Sequence, residues 1–215
     1  MTRVSATDAI VWVDCEMTGL DLAKDALVEI AVVVTDSELK PLGGGIDLVI
    51  APPPGVVDTM LPVVREMHTA SGLIDELEHG IPLADAQEQA LDYIRQFVPE
   101  PRKAPLAGNS VGTDKTFLDR DMPDLVQHLH YRIIDVSSIK ELARRWYPRA
   151  YFNAPAKAGG HRALADILES IDELRYYRAV LFPPDPGPDS ATAKRVAAEV
   201  LSSRTVLPPS AGAAG

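Results

Sequence analysis

Apolar residues occur along the chain in short runs, which polar, glycine-rich or proline-rich stretches separate. Short apolar runs, several of them rich in β-branched residues, predict strands at residues 10–13, 26–35, 46–50, 105–109 and 133–136. Apolar residues at helical spacing predict helices, at residues 60–71, 82–98, 112–122, 137–147, 162–182 and 190–201. Pro62 is expected to break the first of these helices. Three strands followed by alternating helices and strands predict an α/β fold with helices packed on a sheet.

The apolar stripes of these elements indicate which surfaces face the core. The strand at residues 26–35 is apolar on both faces, which predicts a central position in the sheet. The helix at residues 137–147 carries a stripe of Ile139, Leu142, Ala143 and Trp146, of which the last fits a core position or a subunit contact. The helix at residues 162–182 is expected to be buried through Leu164, Ile167, Leu168, Ile171 and Leu174.

The character of the chain changes after Phe182. Prolines within residues 183–188 end the last long helix, and residues 208–215 are small and polar, which is typical of disorder. We therefore predict one domain over residues 1–182 and a proline-rich, partly disordered tail over residues 183–215. The tail carries three acids and three bases and is expected to be dispensable for catalysis.

The composition is that of a globular protein. The chain has 215 residues, of which 46% are hydrophobic and 24% charged, so it is long enough for one domain with a full core. A single cysteine excludes an internal disulfide, and neither a signal-peptide core nor a membrane-length apolar run is present. We expect a cytoplasmic protein.

The net charge of −10 limits the partners of the chain. Proteins that hold long nucleic acids make cationic contacts to many phosphates, which an acidic surface opposes. The charge is uneven, however: residues 74–100 hold seven acids and one base, whereas residues 131–149 hold five bases and two acids. A nucleic-acid substrate is therefore expected to be short and bound at a local basic surface.

Two acids at the end of the first strand are the first candidate site. Side chains alternate along a strand, so Asp14 and Glu16 point to the same side, roughly 7 Å apart, while Cys15 points to the other. Like charges held so close raise each other's pKa unless a cation lies between them. A divalent metal ion would meet this need, but two unrelated, solvated surface acids are the alternative when the pair is taken alone.

Three further candidates lie at the starts of two helices. Asp114 falls in the first turn of the helix at residues 112–122, where it either helps to form a site or only stabilises the helix. His161 and Asp166 are five residues apart and would differ by about 140° on a continuous helix. The preceding Gly159 and Gly160 release His161 from the helix, which suits a proton-transferring imidazole beside a fixed acid. A surface histidine beside a solvated aspartate is the alternative.

Six separated motifs resemble the DEDDh exonucleases, and within them the oligoribonuclease family. In chain order they are residues 12–20 (WVDCEMTGL), 68–73 (HTASGL), 108–110 (GNS), 130–132 (HYR) with 135–137 (DVS), 140–146 (KELARRW) and 161–166 (HRALAD). The resemblance covers about residues 9–182. It implies a ribonuclease-H-like mixed β-sheet flanked by α-helices, and removal of 5′-mononucleotides from the 3′ end of very short RNA, chiefly 5′-phosphorylated diribonucleotides.

The resemblance also implies a role for each candidate. It makes Asp14, Glu16, Asp114 and Asp166 ligands of two divalent cations, Mg²⁺ or Mn²⁺, which hard oxygen ligands suit. It makes His161 the general base that takes a proton from the attacking water in a two-metal mechanism.

A second set of residues would bind the substrate if the resemblance holds. In that family a leucine wedges against the bases, and a Tyr-Arg pair from the partner subunit of a homodimer closes over the 5′ end. These positions correspond to Leu20, Tyr131 and Arg132, and the polar contacts to the 5′ phosphate correspond to His68, Ser110 and Ser137. The chain departs from the family at Val63, where many relatives have a tryptophan, so base stacking on that side is not implied.

Two other readings of the sequence remain. An exonuclease of the ribonuclease T or proofreading type would share the five catalytic residues but act on longer RNA or DNA, and it should have a basic groove. A non-catalytic nucleotide-binding module would lack one or more ligands. The acidic charge argues against the first reading, and the complete ligand set argues against the second.

Overall fold

The computed structural model describes residues 8–156 and 159–203. Its five strands are β1 (Ile10–Met17), β2 (Leu27–Thr35), β3 (Ile46–Val49), β4 (Pro105–Gly108) and β5 (His130–Asp135). Its α-helices are α1 (Pro62–Ala70), α2 (Leu73–Glu76), α3 (Leu83–Phe97), α4 (Gly112–Asp121), α5 (Pro123–His128), α6 (Val136–Trp146), α7 (Pro148–Phe152), α8 (Ala163–Leu181) and α9 (Ser190–Ser202). Two short 3₁₀ helices cover Val57–Thr59 and Leu77–His79.

The strands form one mixed sheet in the order β3-β2-β1-β4-β5. β1 and β2 pair antiparallel, as do β2 and β3, whereas β4 and β5 run parallel to β1. β2 is buried along its whole length and lies inside the sheet, as its apolar sequence predicts. The expected α/β fold is therefore confirmed.

Each face of the sheet carries its own layer of core residues. Val11, Val13 and Cys15 of β1 face a core that includes residues of α3, α4 and α5. Trp12 of the same strand faces the opposite core, formed with residues of α6 and α8, and its indole Nε1 donates a hydrogen bond of 3.0 Å to Thr35 Oγ1. This alternation decides on which face the acids at the end of β1 lie.

The predicted helices and strands are all present, but three details of the prediction are wrong. Pro62 begins α1 instead of breaking a helix, because proline is tolerated at the first helical position. The short helices α2, α5 and α7 were not predicted. Leu142, Trp146 and Leu168 are exposed instead of buried, with Trp146 66% exposed, because α6 and α8 meet the sheet through narrower stripes that include Ala143, Ile167 and Ile171. A subunit contact at Trp146 stays a prediction.

The described part of the tail contributes little to the core. None of the residues of α9 is buried, and its exposed apolar residues include Val196, Val200 and Leu201. The predicted disorder of residues 208–215 lies outside the described residues. Within residues 8–156 and 159–203, none of the helices combines the length and the hydropathy that a membrane-spanning helix requires.

Deletion of residues 183–215 is expected to change catalysis by less than about twofold, because exposed terminal segments tolerate truncation. The measurement is kcat/KM on a short RNA for the truncated and the full chain. Loss of most of the activity in a truncated chain that still melts cooperatively would contradict this expectation.

Candidate active site

The end of β1 carries two acids on one face of the sheet. Asp14 and Glu16 alternate with Cys15, which lies in the opposite core. They therefore share the face of Trp12, against which α8 packs. The Glu16 side chain is largely buried. The sequence-based prediction that both acids point the same way is consistent with this alternation.

α4 brings the third acid to β1. Asp114 lies in the first turn of α4 and is buried. Its Oδ1 accepts a hydrogen bond of 3.0 Å from the backbone N–H of Cys15, between the two acids of β1. Asp114, which is 99 residues from Cys15 in the sequence, is thereby fixed at the end of β1.

The start of α8 adds an acid and an imidazole. Asp166 lies in the first turn of α8, and His161 precedes the helix with a positive φ of 48°. One potential ligand atom from each of Glu16, His161 and Asp166 lies within 4.8 Å of the other two. His161 is exposed, whereas Glu16 is buried. The histidine therefore reaches the acids from the solvent side.

Burial and mutual repulsion raise the pKa values of these carboxyl groups. Burial is the main reason that the pKa of Asp14 rises to about 9, and the charges of Asp114, Asp166 and Glu16 add to it. Burial and the charge of Glu29 raise the pKa of Glu16 to about 7. Burial raises the pKa of Asp114 to about 6, against the hydrogen bond from Cys15. Such a set of oxygen ligands fits divalent cations, which would supply the missing positive charge.

Glu29, which the sequence did not reveal as a site residue, is a buried acid next to the cluster. It pairs with Glu16 in the β1–β2 ladder and has no exposed surface. Glu29 Oε1 accepts a hydrogen bond of 2.8 Å from Arg162 Nε, and Oε2 accepts one of 3.0 Å from Ala163 N at the start of α8. A single acid inside the otherwise apolar run of β2 was the available signal, because a fully buried carboxylate requires a partner.

Ser110 and Ser137, two predicted phosphate contacts, are held together by Asp135. Oδ1 of Asp135 accepts hydrogen bonds from Ser110 N (2.9 Å), Ser137 N (2.9 Å) and Ser137 Oγ (2.7 Å). Ser110 N lies also 3.2 Å from Ser137 Oγ. Asp135 is the N-cap of α6, so one carboxylate both begins this helix and joins Ser137 in its first turn to Ser110 in the loop before α4.

Replacement of Asp135 by alanine is expected to raise KM for a 5′-phosphorylated dinucleotide about tenfold, because the two serines lose their common anchor, a loss of about 1.4 kcal/mol. The matched control is Asp189→Ala, which removes the N-cap of α9 that accepts a 2.7 Å hydrogen bond from Thr192 N. KM for the 5′-phosphorylated dinucleotide should rise with Asp135→Ala and not with Asp189→Ala. For a 5′-hydroxyl dinucleotide, Asp135→Ala should change KM much less. An equal rise for both substrates would contradict a role at the phosphate.

His68 does not fit the role that was predicted for it. The side chain has no exposed surface, so it is not placed for direct contact with a 5′ phosphate. Its Nε2 lies 2.8 Å from the carbonyl oxygen of Met17, and its Nδ1 lies 3.9 Å from Glu16 Oε2. His68 lies in α1, and its buried ring is close to the backbone at the end of β1 and to an acid of the cluster.

The remaining predicted substrate residues are exposed. Leu20 is 75% exposed just beyond β1, and Tyr131 is 77% exposed on the edge strand β5. The guanidinium carbon Cζ of Arg132 lies 5.5 Å from the centre of the Tyr131 ring. Val63 is also exposed. These side chains are available to a ligand or to a second subunit.

Comparison with known proteins gives the family. A family model described as Exonuclease matches residues 11–174, which include all five predicted catalytic residues. An oligoribonuclease of Streptomyces griseus is 67% identical over 193 residues, which are 90% of this chain and 96% of that protein. An oligoribonuclease of Cutibacterium acnes is 58% identical over 190 residues, 88% of this chain and 94% of that protein. The chain belongs to the oligoribonuclease family.

The fold of this chain is also found in a larger enzyme. A structure of E. coli exonuclease I in complex with a dA16 oligonucleotide aligns with a TM-score of 0.62 at 16% identity, over 81% of this chain and 41% of that one. The chain thus spans about two-fifths of that neighbour, and the likeness shows the ribonuclease-H-like fold alone.

Family membership defines the reaction in outline. The chain is a hydrolytic 3′-to-5′ exoribonuclease. The exonuclease family uses divalent metal ions, and the cluster of Glu16, His161 and Asp166 is a possible binding place for one. The alternatives of solvated, unrelated acids are set aside, because the acids of β1, α4 and α8 meet at one place.

Proposed function

We propose that the chain hydrolyses very short oligoribonucleotides, chiefly 5′-phosphorylated diribonucleotides, to 5′-mononucleotides. Asp14, Glu16, Asp114 and Asp166 would hold two divalent cations, Mg²⁺ or Mn²⁺, and His161 would act as general base. The observation that carries the proposal is the meeting of these acids from three elements, with pKa values raised by burial and repulsion. Such a set is costly to keep without cations.

The chemistry divides between the cations and the chain. When bound, two divalent cations lower the pKa of an attacking water and balance the charge on the leaving oxygen. The imidazole of His161 takes one proton from the attacking water as the water oxygen forms a bond to phosphorus. The bond from phosphorus to the 3′ oxygen breaks, and the 3′ oxygen takes a proton from solvent. Exposure of His161 allows it to return its proton to bulk water.

A short substrate follows from the charge and the proposed contacts. Ser110 and Ser137, joined by Asp135, would receive the 5′ phosphate, and Leu20 would wedge against a base. In a homodimer, Tyr131 and Arg132 of the partner subunit would close over the 5′ end. Such an enclosure favours two nucleotides, and a protein of net charge −10 then needs cations at one or two phosphates only. A cytoplasmic location is part of this proposal.

The test compares a 5′-phosphorylated diribonucleotide with a seven-residue RNA, each with and without Mg²⁺ or Mn²⁺. We expect kcat/KM to be at least about tenfold higher for the dinucleotide, since each nucleotide beyond two would meet the cap, and a tenfold preference needs only about 1.4 kcal/mol. Cleavage should stop when the metal is chelated. Asp14→Asn serves as the inactive control.

Each other outcome has a clear meaning. Equal rates on both lengths would support the exonuclease of longer substrates instead. Absence of cleavage with either metal would support a nucleotide-binding module. A monomer in light scattering that keeps full activity would exclude a cap supplied by a partner subunit.

A further inference from the structure

Arg162 follows His161 directly, and its guanidinium is held from two sides. Its Nε donates a hydrogen bond of 2.8 Å to Glu29 Oε1 on β2. Its Nη1 and Nη2 donate hydrogen bonds of 2.8 and 2.9 Å to the two carboxylate oxygens of Glu76 on α2. Three distant segments of the chain therefore meet at one side chain. We call Glu29, Arg162 and Glu76 the arginine clasp.

The clasp needs arginine and not merely a positive charge. A guanidinium presents planar N–H groups that can bind one carboxylate with two bonds and a second carboxylate through Nε. Lysine has a single ammonium group and cannot reproduce this two-sided geometry. Glu29 provides a fixed anchor, because it is fully buried in the sheet and its second oxygen binds Ala163 N.

The arginine clasp lies next to a residue whose backbone conformation is strained. The φ of His161 is 48°, in the left-handed region that non-glycine residues rarely adopt. A conformation of this kind is unfavourable for a residue with a side chain and persists when surrounding contacts enforce it. Arg162, the next residue in the chain, is held by the carboxylates of Glu29 and Glu76.

We infer that the arginine clasp of Glu29, Arg162 and Glu76 positions the His161 imidazole over the acid cluster for proton transfer. The three are positioning residues that act through His161, and Arg162 does not bind substrate. This inference rests on the proposed role of His161 as general base. Loss of the clasp should lower the rate of the chemical step and leave substrate and metal affinity nearly unchanged.

The experiment measures kcat, KM and the Mg²⁺ concentration for half-maximal activity, on a 5′-phosphorylated diribonucleotide, for Arg162→Lys and Glu76→Gln. Arg178→Lys is the matched control, because Arg178 lies on α8, the helix that Arg162 precedes, and likewise forms an ion pair with a residue distant in sequence, 2.7 Å to Glu38 Oε2. Glu76 is half exposed, so its replacement should not prevent folding, and melting temperatures check this. We expect kcat to fall about tenfold or more for Arg162→Lys and less for Glu76→Gln, with KM within about threefold, since small misplacement of a catalytic group costs up to about 100-fold.

A double-mutant cycle with His161→Ala distinguishes positioning from general damage. In the His161→Ala background, Arg162→Lys should change kcat by less than about twofold, since residues that act through one another are not additive. An equal loss in both backgrounds, a rise in KM alone, or a shift of the metal midpoint would overturn the inference. If His161→Ala alone retains full rate, the proposed general base is wrong instead, and that result is read independently of the clasp.

Discussion

Replacement of Asp14 by asparagine is expected to lower kcat by about 1,000-fold or more, because in the proposed mechanism Asp14 holds the cations on which the chemical step depends. Asp14 shares one face of β1 with Glu16, and the charges of Asp114 and Asp166 act directly on it. Asparagine has nearly the same shape but offers a neutral oxygen in place of a carboxylate. Titration with Mn²⁺ should show weaker binding, and activity should not return at saturating metal.

The same substitution is expected to stabilise the protein when metal is removed. The pKa of Asp14 is about 9 in the folded chain, because of burial and nearby acids, against 3.8 for the free side chain. The folded state therefore holds the proton more tightly, and its stability falls as the pH rises from about 4 towards 9. Asp14→Asn removes this loss of stability. In EDTA at pH 8 the melting temperature of the variant should therefore exceed that of the wild type by several degrees, which corresponds to about 1 to 3 kcal/mol in the free energy of unfolding.

Opposite signs for activity and stability make this prediction easy to contradict. Asp85→Asn is the control, because Asp85 is an exposed acid in the first turn of α3. It should leave both activity and melting temperature near the wild-type values. An Asp14→Asn protein that melts below the wild type in EDTA would show that the acids do not repel one another as their burial indicates.

Local sequence signals were sufficient to predict the positions of most residues of the candidate site. Alternation along β1 gives the shared direction of Asp14 and Glu16, and the start of α4 gives the position of Asp114. The glycine pair before His161 correctly separates it from the helix that carries Asp166. These features depend on residues within a few positions of each other, which is why a reading of the sequence can find them.

Long-range burial decided what the sequence reading missed. Nothing near His68 in the chain shows that its ring is buried beside the Met17 carbonyl group, and nothing near Glu29 shows that it binds Arg162, 133 residues away. The helices α5 and α7 were missed for a local reason. Each begins with a proline at its first turn, and Pro123 and Pro148 are as compatible with a chain break as with a helix start.

Replacement of His161 by alanine tests whether the imidazole moves a proton or binds metal. The geometry allows both roles, since a ring nitrogen of His161 lies within 4.8 Å of oxygens of Glu16 and Asp166. Hard cations such as Mg²⁺ prefer oxygen ligands, and the chain offers four carboxylates without it, so we expect a general base. The variant should lose about 100- to 10,000-fold in kcat, which is the usual contribution of general acid–base catalysis.

The metal titration separates the two roles. For a general base, the Mg²⁺ midpoint of His161→Ala should stay within about threefold of wild type, because the carboxylate ligands are intact. His79→Ala is the control, since His79 is exposed and its contact is with the neighbouring Glu78 at 3.3 Å. Added imidazole should restore part of the rate to His161→Ala and none to Asp14→Asn. A midpoint raised tenfold or more, with the rate recovered at high metal, would instead make His161 a ligand, and the proton of the water would then need a different acceptor.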